Sequence, residues 1–539
     1  MGALTRLAAI ALCAASLAVS AAERKKPAPA PKPAAKVAAF DVVEASIADL
    51  QQAMASGRMT SKQITSLYLA RIKAIDKAGP RLNAIIELNP DALAIAQALD
   101  AERKAKGARG PLHGIPILLK DNIATGDKMQ TTAGSLALVG AKPTRDSFVA
   151  AKLREAGAVI LGKTNLSEWA NIRSTRSTSG WSSRGGLTRN PYALDRNTSG
   201  SSSGSAVAVA ASLAAAAVGT ETDGSITSPS AVNGLVGIKP TVGLVSRSGI
   251  IPISRSQDSA GPMARSVADA AALLTAMAGT DLRDDATRDA SPKASDYTKH
   301  LDGNALKGAR LGVVRSQFGG RNDLVSAEVE KALKILEAQG AVLVDIPEIP
   351  NAGKYGATEL EVMLTELKAD MEVYLKEWAP DAEVRTLADI VAFNEAHKDQ
   401  VMPYFGQEHF VNAAKKGGLD SKEYLEALAS NHRLSRGEGI DKVLGENKLD
   451  ALIAPTTGPA WITDFIKGDA SGGSFSSPAA VAGYPHITVP AGLVQGLPCG
   501  ISFVGTAWSE PRLIALAYAF EQASKARKPP TFPKTVNGW

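Results

Sequence analysis

Short apolar runs alternate with amphipathic segments along most of the chain. Residues 115–119 and 158–161 are apolar runs bounded by glycine or proline, a pattern typical of strands buried on both faces. Residues 311–314, an amphipathic segment from 326 to about 339, and residues 341–346 predict one β-α-β step. This alternation of strands and helices favours an α/β fold.

Further segments extend this core. Thr60 or Ser61 can cap a helix whose apolar residues fall on one face. Residues 205–218 are almost entirely alanine and valine without a charge, which predicts a helix packed on both sides. Strand-like runs return towards the C terminus at residues 451–454, 487–490 and 501–504.

From about residue 354 to 444 the pattern is mostly helical and rich in charge. We interpret this segment as a helical insertion that covers one end of the sheet. No internal repeat and no apolar stretch long enough to cross a membrane appears after the first residues of the chain. The pattern therefore predicts a single large α/β domain over residues 39–530, with a helical cap.

The first 21 residues predict a signal peptide. Arg6 supplies the positive start, residues 7–19 form an apolar run, and residues 20–22 are small enough for cleavage near Ala21. The run is too short for a comfortable permanent anchor, so an uncleaved membrane anchor is the weaker alternative. Residues 22–38 are rich in proline, alanine and lysine and predict a flexible linker. We therefore expect a periplasmic or secreted protein without a stable membrane anchor.

The charge distribution gives no indication of a nucleic-acid partner. The formal charge is +6, but residues 1–37 hold six basic side chains and one acid, and the remainder holds 54 basic and 53 acidic residues. Removal of the signal would leave Cys499 as the one cysteine, so no intramolecular disulfide could form. The six histidines are scattered and form no ligand pattern, so we expect neither a metal nor a cofactor.

The most informative stretch is a loop rich in serine and glycine. The eight residues 198–205 contain five serines and two glycines, a composition that favours an irregular loop with exposed amides and hydroxyls. Residues 200–204 also match the G-x-S-x-G elbow of α/β-hydrolases. However, a polar segment rather than a strand precedes them, and His486 is the one plausible histidine for a triad. An esterase of that type is therefore a weaker interpretation.

Several motifs in order resemble the amidase signature family, over about residues 44–525. They are residues 113–122, 200–205, 222–226, 233–241, 482–485 and 496–498. Segments such as 180–182 and 221–225 are most similar to the bacterial peptide amidases, which remove the amide group from peptide C termini. The resemblance implies a large mixed central sheet with helices on both faces and a catalytic core at about residues 110–275.

The resemblance also implies a set of catalytic residues. The family's base maps to Lys120, its relay serine, which follows a cis peptide bond in the family, maps to Ser201, and its nucleophile maps to Ser225. Ser201 and Ser225 are 24 residues apart, as in the family. Ser202 maps to a supporting position. The oxyanion contacts map to the backbone amides of Thr222, Asp223, Gly224 and Ser225.

The chemistry explains why these residue types are needed. A serine hydroxyl attacks well only when a base removes its proton, and a lysine is a base only when it is neutral. Burial lowers the pKa of a lysine, and the apolar run before Lys120 is suited to bury it. Ser201 can take the proton of Ser225 while it gives its own to Lys120. The expected reaction is hydrolysis of a carboxamide, the C-terminal amide of a peptide or a small amide, through an acyl-enzyme.

Two residues depart from the family pattern, and two other functions stay open. Ser203 and Asp223 stand where family members commonly have glycine. A transamidation subunit that supplies ammonia shares the motifs, but the predicted signal peptide disfavours it. A non-catalytic binding protein would not need to keep Lys120, Ser201 and Ser225 together. The sequence itself does not identify the acyl group or the leaving amine.

Overall fold

A mixed sheet of eleven strands lies at the centre of the computed structural model, which describes residues 40–318 and 323–536. The strands, including a separate hairpin of β4 and β5, are β1 Ile85–Leu88, β2 Pro116–Lys120, β3 Val159–Thr164, β4 Trp181–Ser182, β5 Gly186–Leu187, β6 Ala216–Glu221, β7 Val236–Lys239, β8 Ser259–Ala264, β9 Arg310–Val314, β10 Val342–Ile346, β11 Ala451–Pro455, β12 His486–Val494 and β13 Leu497–Val504.

Helices surround this sheet. Those of the described residues are α1 Ile47–Ala55, α2 Ser61–Arg71, α3 Ala92–Lys106, α4 Phe148–Glu155, α5 Ser203–Ala210, α6 Thr227–Val232, α7 Val267–Met277, α8 Ala290–Lys293, α9 Asp323–Ala338, α10 Gly356–Trp378, α11 Leu387–Ala396, α12 Lys398–Val401, α13 Glu408–Ala414, α14 Lys422–Ser435, α15 Asp441–Asn447, α16 Ser477–Ala482 and α17 Glu510–Ser524. None of them is long and apolar enough to cross a membrane.

The strand order is β1-β3-β2-β6-β8-β7-β12-β13-β11-β9-β10. The runs β3-β2-β6 and β10-β9-β11 are parallel, and the other neighbours are antiparallel. The predicted fold, a large mixed sheet flanked by helices, is confirmed. In this order the carboxyl ends of β2 and β6 lie side by side. The motif of residues 113–122, which contains β2, is therefore next to the motif of residues 222–226, which follows β6.

The prediction of one helix over residues 205–218 was wrong for the second half of that segment. Residues 205–218 do not form one helix: α5 ends at Ala210, Ser212 takes a positive φ of 54°, and the chain continues as β6 from Ala216. The physical reason is that β6 is buried between β2 and β8. A strand buried on both faces is as uniformly apolar as a buried helix, so composition does not separate the two.

Helices α10 to α15 occupy the segment in which the sequence predicts a helical insertion. Side chains of α10, α11 and α13 form an apolar cluster with Trp169, Leu166 and Ile253, which flank the catalytic motifs. Trp169 and Phe410 meet edge to face with ring centroids 5.5 Å apart. This segment therefore packs directly against the loops that line the site.

The signal peptide predicted for residues 1–21 and the linker predicted for residues 22–38 lie outside the described residues. From Asp41 onward, the described residues group into one compact unit.

Candidate active site

Lys120 is the last residue of β2 and is completely buried. Its Nζ donates to Ser201 Oγ at 2.7 Å, to Thr220 Oγ1 at 2.9 Å and to the Thr220 carbonyl oxygen at 3.2 Å. Burial lowers the pKa of Lys120 to about 7, while the negative charges of Asp258 and Glu221 oppose that shift. Lys120 can therefore exist as a neutral amine near neutral pH.

Ser201 lies in the serine-rich loop between Asn197 and α5, after a cis Gly200–Ser201 peptide bond. The loop is held by its own polar groups: the Ser199 amide donates to Asn197 Oδ1 at 2.7 Å, and Ser203 Oγ donates to the Ser199 carbonyl at 2.7 Å. Such local hydrogen bonds replace those of regular structure. The structure thus brings Ser201 to Lys120, as the sequence predicts.

Ser202 connects this loop to β6 and to Ser225. Its hydroxyl donates to the Thr220 carbonyl at 3.0 Å and accepts from the Thr220 amide at 3.2 Å, and its own amide donates to the Ser225 carbonyl at 3.1 Å. The Thr220 hydroxyl in turn accepts hydrogen bonds from Lys120 Nζ and from Asn122 Nδ2. Thr220 was not identified from the sequence, because its role depends on pairing across the sheet.

Ser225 lies in the turn between β6 and α6, and the residue is 8% exposed. Its hydroxyl has no hydrogen-bond partner among the described residues, so it is not bonded to Ser201 in this structure. Backbone contact through Ser202 nevertheless places the two serines on adjoining loops. The Ser225 hydroxyl can therefore turn towards either the serine loop or a substrate.

The turn before Ser225 presents unpaired amides. In the described part of the chain, the backbone amides of the predicted oxyanion residues Thr222, Asp223, Gly224 and Ser225 donate to no acceptor. The turn is closed behind them by Glu221, whose Oε2 accepts from the amides of Ile226 at 2.7 Å and Thr227 at 2.9 Å. Unpaired amides at a turn before a helix stabilise negative charge, as an oxyanion requires.

A second acid fixes the same turn from the opposite side. Asp258 Oδ1 accepts from Thr222 Oγ1 at 2.6 Å, and its Oδ2 accepts from the amides of Ile253 and Ser254 at 2.8 and 3.0 Å. Burial raises the pKa of Asp258 to about 6. These contacts give Asp258 a scaffold role.

The structural role of Glu221 was not predicted from the sequence, although an acid at the end of an apolar run is a signal that could have identified it.

His486 has a structural environment. It lies in β12, completely buried, with Nε2 2.6 Å from Ser502 Oγ and its ring against Phe475. Burial lowers its pKa to about 3. Its partner is therefore Ser502 rather than a serine of residues 199–205, and the α/β-hydrolase alternative loses its base. Among the described residues, no group of three histidine, cysteine, aspartate or glutamate side chains is arranged to hold a metal ion.

Comparison with known proteins finds amidases among the relatives of this chain. A family model described as Amidase matches residues 63–514. A protein of Arabidopsis thaliana named as a probable amidase is 46% identical over 92% of each chain. One of the subunits of the glutamyl-tRNA(Gln) amidotransferase of Pseudomonas savastanoi is 32% identical over 89% of this chain and 97% of that one.

Solved structures extend this comparison. The native peptide amidase from Stenotrophomonas maltophilia is 54% identical with a TM-score of 0.87, and covers 91% of this chain and 99% of its own. A structure of the peptide amidase PAM with the competitive inhibitor chymostatin is 53% identical with a TM-score of 0.88, over 91% of this chain and 100% of its own. The fold and these matches define an amide-hydrolysing enzyme. The chain belongs to the amidase signature family.

Proposed function

We propose that the chain hydrolyses the C-terminal carboxamide of peptides through an acyl-enzyme. In this proposal Ser225 is the nucleophile, Ser201 the proton relay and Lys120 the base. The observation that carries it is the 2.7 Å hydrogen bond from the buried Lys120 amine to Ser201, beside a turn of unpaired amides. Acyl transfer needs both a route for the proton and donors for the oxyanion.

The first half of the reaction forms the acyl-enzyme. Ser225 Oγ attacks the amide carbon, its proton passes to Ser201 Oγ, and the proton of Ser201 passes to Lys120 Nζ. The carbonyl oxygen becomes an oxyanion that accepts from the amides of Asp223, Gly224 and Ser225. As the carbon–nitrogen bond breaks, Ser201 Oγ gives its proton to the leaving nitrogen and takes back a proton from Lys120 Nζ, so that the nitrogen leaves as ammonia and Ser225 Oγ stays bonded to the acyl carbon.

The second half releases the peptide. A water molecule attacks the acyl carbon, gives its proton through Ser201 to Lys120, and forms a second oxyanion at the same amides. Breakdown of this intermediate returns a proton to Ser225 Oγ and frees the peptide acid. The relay acts twice in opposite directions, as general base and then as general acid.

The identity of 53–54% with two peptide amidase structures over nearly the whole of those chains supports peptide amides as the substrate class. Fold kinship alone does not establish a substrate, because related sites on one fold differ in specificity. Transamidation is the second candidate, and the amidotransferase relatives at 32% identity are the observation that favours it. The lower identity of those relatives ranks it second.

The experiment is a panel of N-acetylated dipeptide amides, glutamine, asparagine, small aliphatic amides and anilides. The proposal predicts the highest kcat/KM for the peptide amides, with one ammonia and one free peptide acid released per turnover. Ser225→Ala provides the background rate. Turnover confined to glutamine or asparagine would instead indicate an ammonia-supplying enzyme.

A further inference from the structure

Asp223 lies in the turn that carries the unpaired amides. One of its two carboxylate oxygens accepts no hydrogen bond from the described residues. Its Oδ2 accepts from Ser477 Oγ at 2.6 Å. Its Oδ1 is buried and, among the described residues, receives no hydrogen bond from an amide, a hydroxyl or a cationic group. A buried acceptor left in this state costs free energy unless a neighbour supplies a proton.

Glu359 on α10 is the neighbour that can supply it. The residue is 7% exposed, and its Oε1 accepts from Gln257 Nε2 at 2.9 Å. Gln257 Nε2 holds Glu359 beside Thr222, the residue before Asp223, and the Glu359 and Asp223 side chains interact directly. A protonated Glu359 can therefore donate to the unpaired oxygen of Asp223. Burial, and then the negative charge of Asp223, raise the pKa of Glu359 to about 8.

A second connection joins Glu359 to the same turn. Gln257 Nε2, which donates to Glu359, also donates to the Thr222 carbonyl at 3.4 Å. α10 is itself fixed near this point by Glu366, whose Oε2 accepts from Ser254 Oγ at 2.5 Å. Glu359 therefore extends from α10 towards Asp223, and Gln257 connects Glu359 to Thr222, the preceding residue of the turn.

We infer that Glu359 is a positioning residue, which in its protonated form holds Asp223 and keeps the amides of Asp223, Gly224 and Ser225 in the arrangement that stabilises the oxyanion. The inference rests on the proposed function, because it assumes acyl transfer at Ser225. Loss of the Glu359 proton places two negative carboxylates in contact. Their repulsion displaces Asp223, and the displacement moves the amides of the same turn.

Other titratable groups face this pair. Tyr355, one turn before Glu359, is buried beside both carboxyls, and burial raises the pKa of its hydroxyl. Glu221 and Lys239 are also close enough to Asp223 to interact with its charge. Burial lowers the pKa of Lys239 to about 8, so Lys239 loses its proton in the same range as Glu359. The test must therefore separate the ionisation of Glu359 from that of Lys239.

The test is the pH dependence of kcat and KM for N-acetyl-phenylalanine amide, a substrate without a titratable group in the range from about pH 6 to about pH 10. In the wild type, kcat should fall about tenfold per pH unit above the pKa of Glu359 while KM changes little. Glu359→Gln should keep kcat within about threefold of the wild type at neutral pH and abolish the fall, because the glutamine amide donates to Asp223 at every pH.

Glu361→Gln is the control, since Glu361 is another acid of α10 but contacts Thr365 and pairs with Lys416. This variant should keep the alkaline fall. A fall that persists in Glu359→Gln would overturn the inference and assign the ionisation to another group such as Lys239. A Glu359→Gln variant that loses activity equally at all pH values would also overturn it.

Infrared difference spectra of the wild type give a measurement that does not depend on the variant folding. Raising the pH through about 8 should remove the carbonyl band of a protonated carboxylic acid in addition to the loss expected from Glu521, whose pKa burial raises to about 7. A spectrum that shows no loss beyond that of Glu521 would contradict the shared proton. If peptide amides are not hydrolysed at all, the proposed function fails, and the same pH profiles are then recorded on the amide that the enzyme does hydrolyse.

Discussion

The amine of Lys120 donates to Ser201 Oγ at 2.7 Å from the end of β2, and within the described residues no carboxylate lies within ion-pair distance of it. A buried lysine without a paired anion loses its proton more readily than an exposed one. Lys120 is therefore held in a place where the neutral amine is accessible at physiological pH.

The first prediction concerns the acid side of the pH profile. Neutral Lys120 is the active base, and its pKa is lowered to about 7, so kcat/KM should rise as the pH increases through that value. The measurement is kcat/KM for an uncharged peptide amide between about pH 5 and about pH 8. Lys120→Arg should be inactive throughout, because a guanidinium stays protonated. A flat profile would contradict the assignment of Lys120 as base.

The second prediction separates Ser202 from Ser201. Ser202→Ala leaves the Thr220 amide without its side-chain partner and the Thr220 carbonyl with Lys120 as its remaining side-chain donor, so the free energy of unfolding should fall by about 1–3 kcal/mol. Its kcat should fall far less than that of Ser201→Ala. Denaturant titration and steady-state kinetics measure the two effects.

Ser205→Ala is the matched control for Ser202, because the Ser205 hydroxyl is also buried and donates to β6, at the Val218 carbonyl 3.2 Å away. It should lose stability with kcat unchanged. If Ser202→Ala reduced kcat as severely as Ser201→Ala, Ser202 would belong to the relay itself.

Local motifs were sufficient to predict the main chemical groups. Lys120 ends the short apolar run that forms β2, and Ser201 lies in the serine- and glycine-rich segment, which is a loop up to Ser202 and becomes helical from Ser203, where α5 begins. Both are encoded by neighbours in the chain. Lys120 and Ser201 are 81 residues apart in the chain, and their contact was predicted from the family resemblance. The parallel pairing of β2 with β6 is the structural cause of this contact.

Non-local contacts could not be predicted in the same way. The pattern of β6 predicts part of a helix, because alanine and valine alone do not reveal sheet pairing. Gln257 connects Glu359 of α10 to the Thr222 carbonyl of the oxyanion turn, and periodicity in a charge-rich helix does not distinguish the acid that faces inwards. Such partners depend on how distant elements pack.

The third prediction concerns export. We propose that residues 1–21 are removed and that the mature protein is periplasmic or secreted, on the basis of Arg6, the apolar run 7–19 and the small residues 20–22. Mass spectrometry of the protein from cell fractions should find a mature N terminus near Ala21 outside the cytoplasm. An intact Met1 on a cytosolic protein would contradict this.

The fourth prediction concerns metals. A mechanism through Lys120, Ser201 and Ser225 uses no metal ion, so prolonged dialysis against a chelator should leave kcat and KM unchanged. The measurement pairs activity with elemental analysis of the dialysed protein. A large loss of activity that added zinc restores would contradict the serine mechanism.

The last prediction is that Lys120, Ser201 and Ser225 act as one unit. Ser225→Ala should abolish acyl-enzyme formation, and Ser201→Ala and Lys120→Ala should each reduce kcat on the order of 10⁴-fold or more. Because a proton relay fails when any of its members is missing, the Lys120→Ala, Ser201→Ala double variant should be hardly slower than either single variant. Rapid-quench measurement of the acyl-enzyme, with circular dichroism as a control for folding, tests this. Losses that add across Ser199, Ser201 and Ser202 would exclude a specific relay, and full activity in Lys120→Ala would show that another group removes the proton of Ser225.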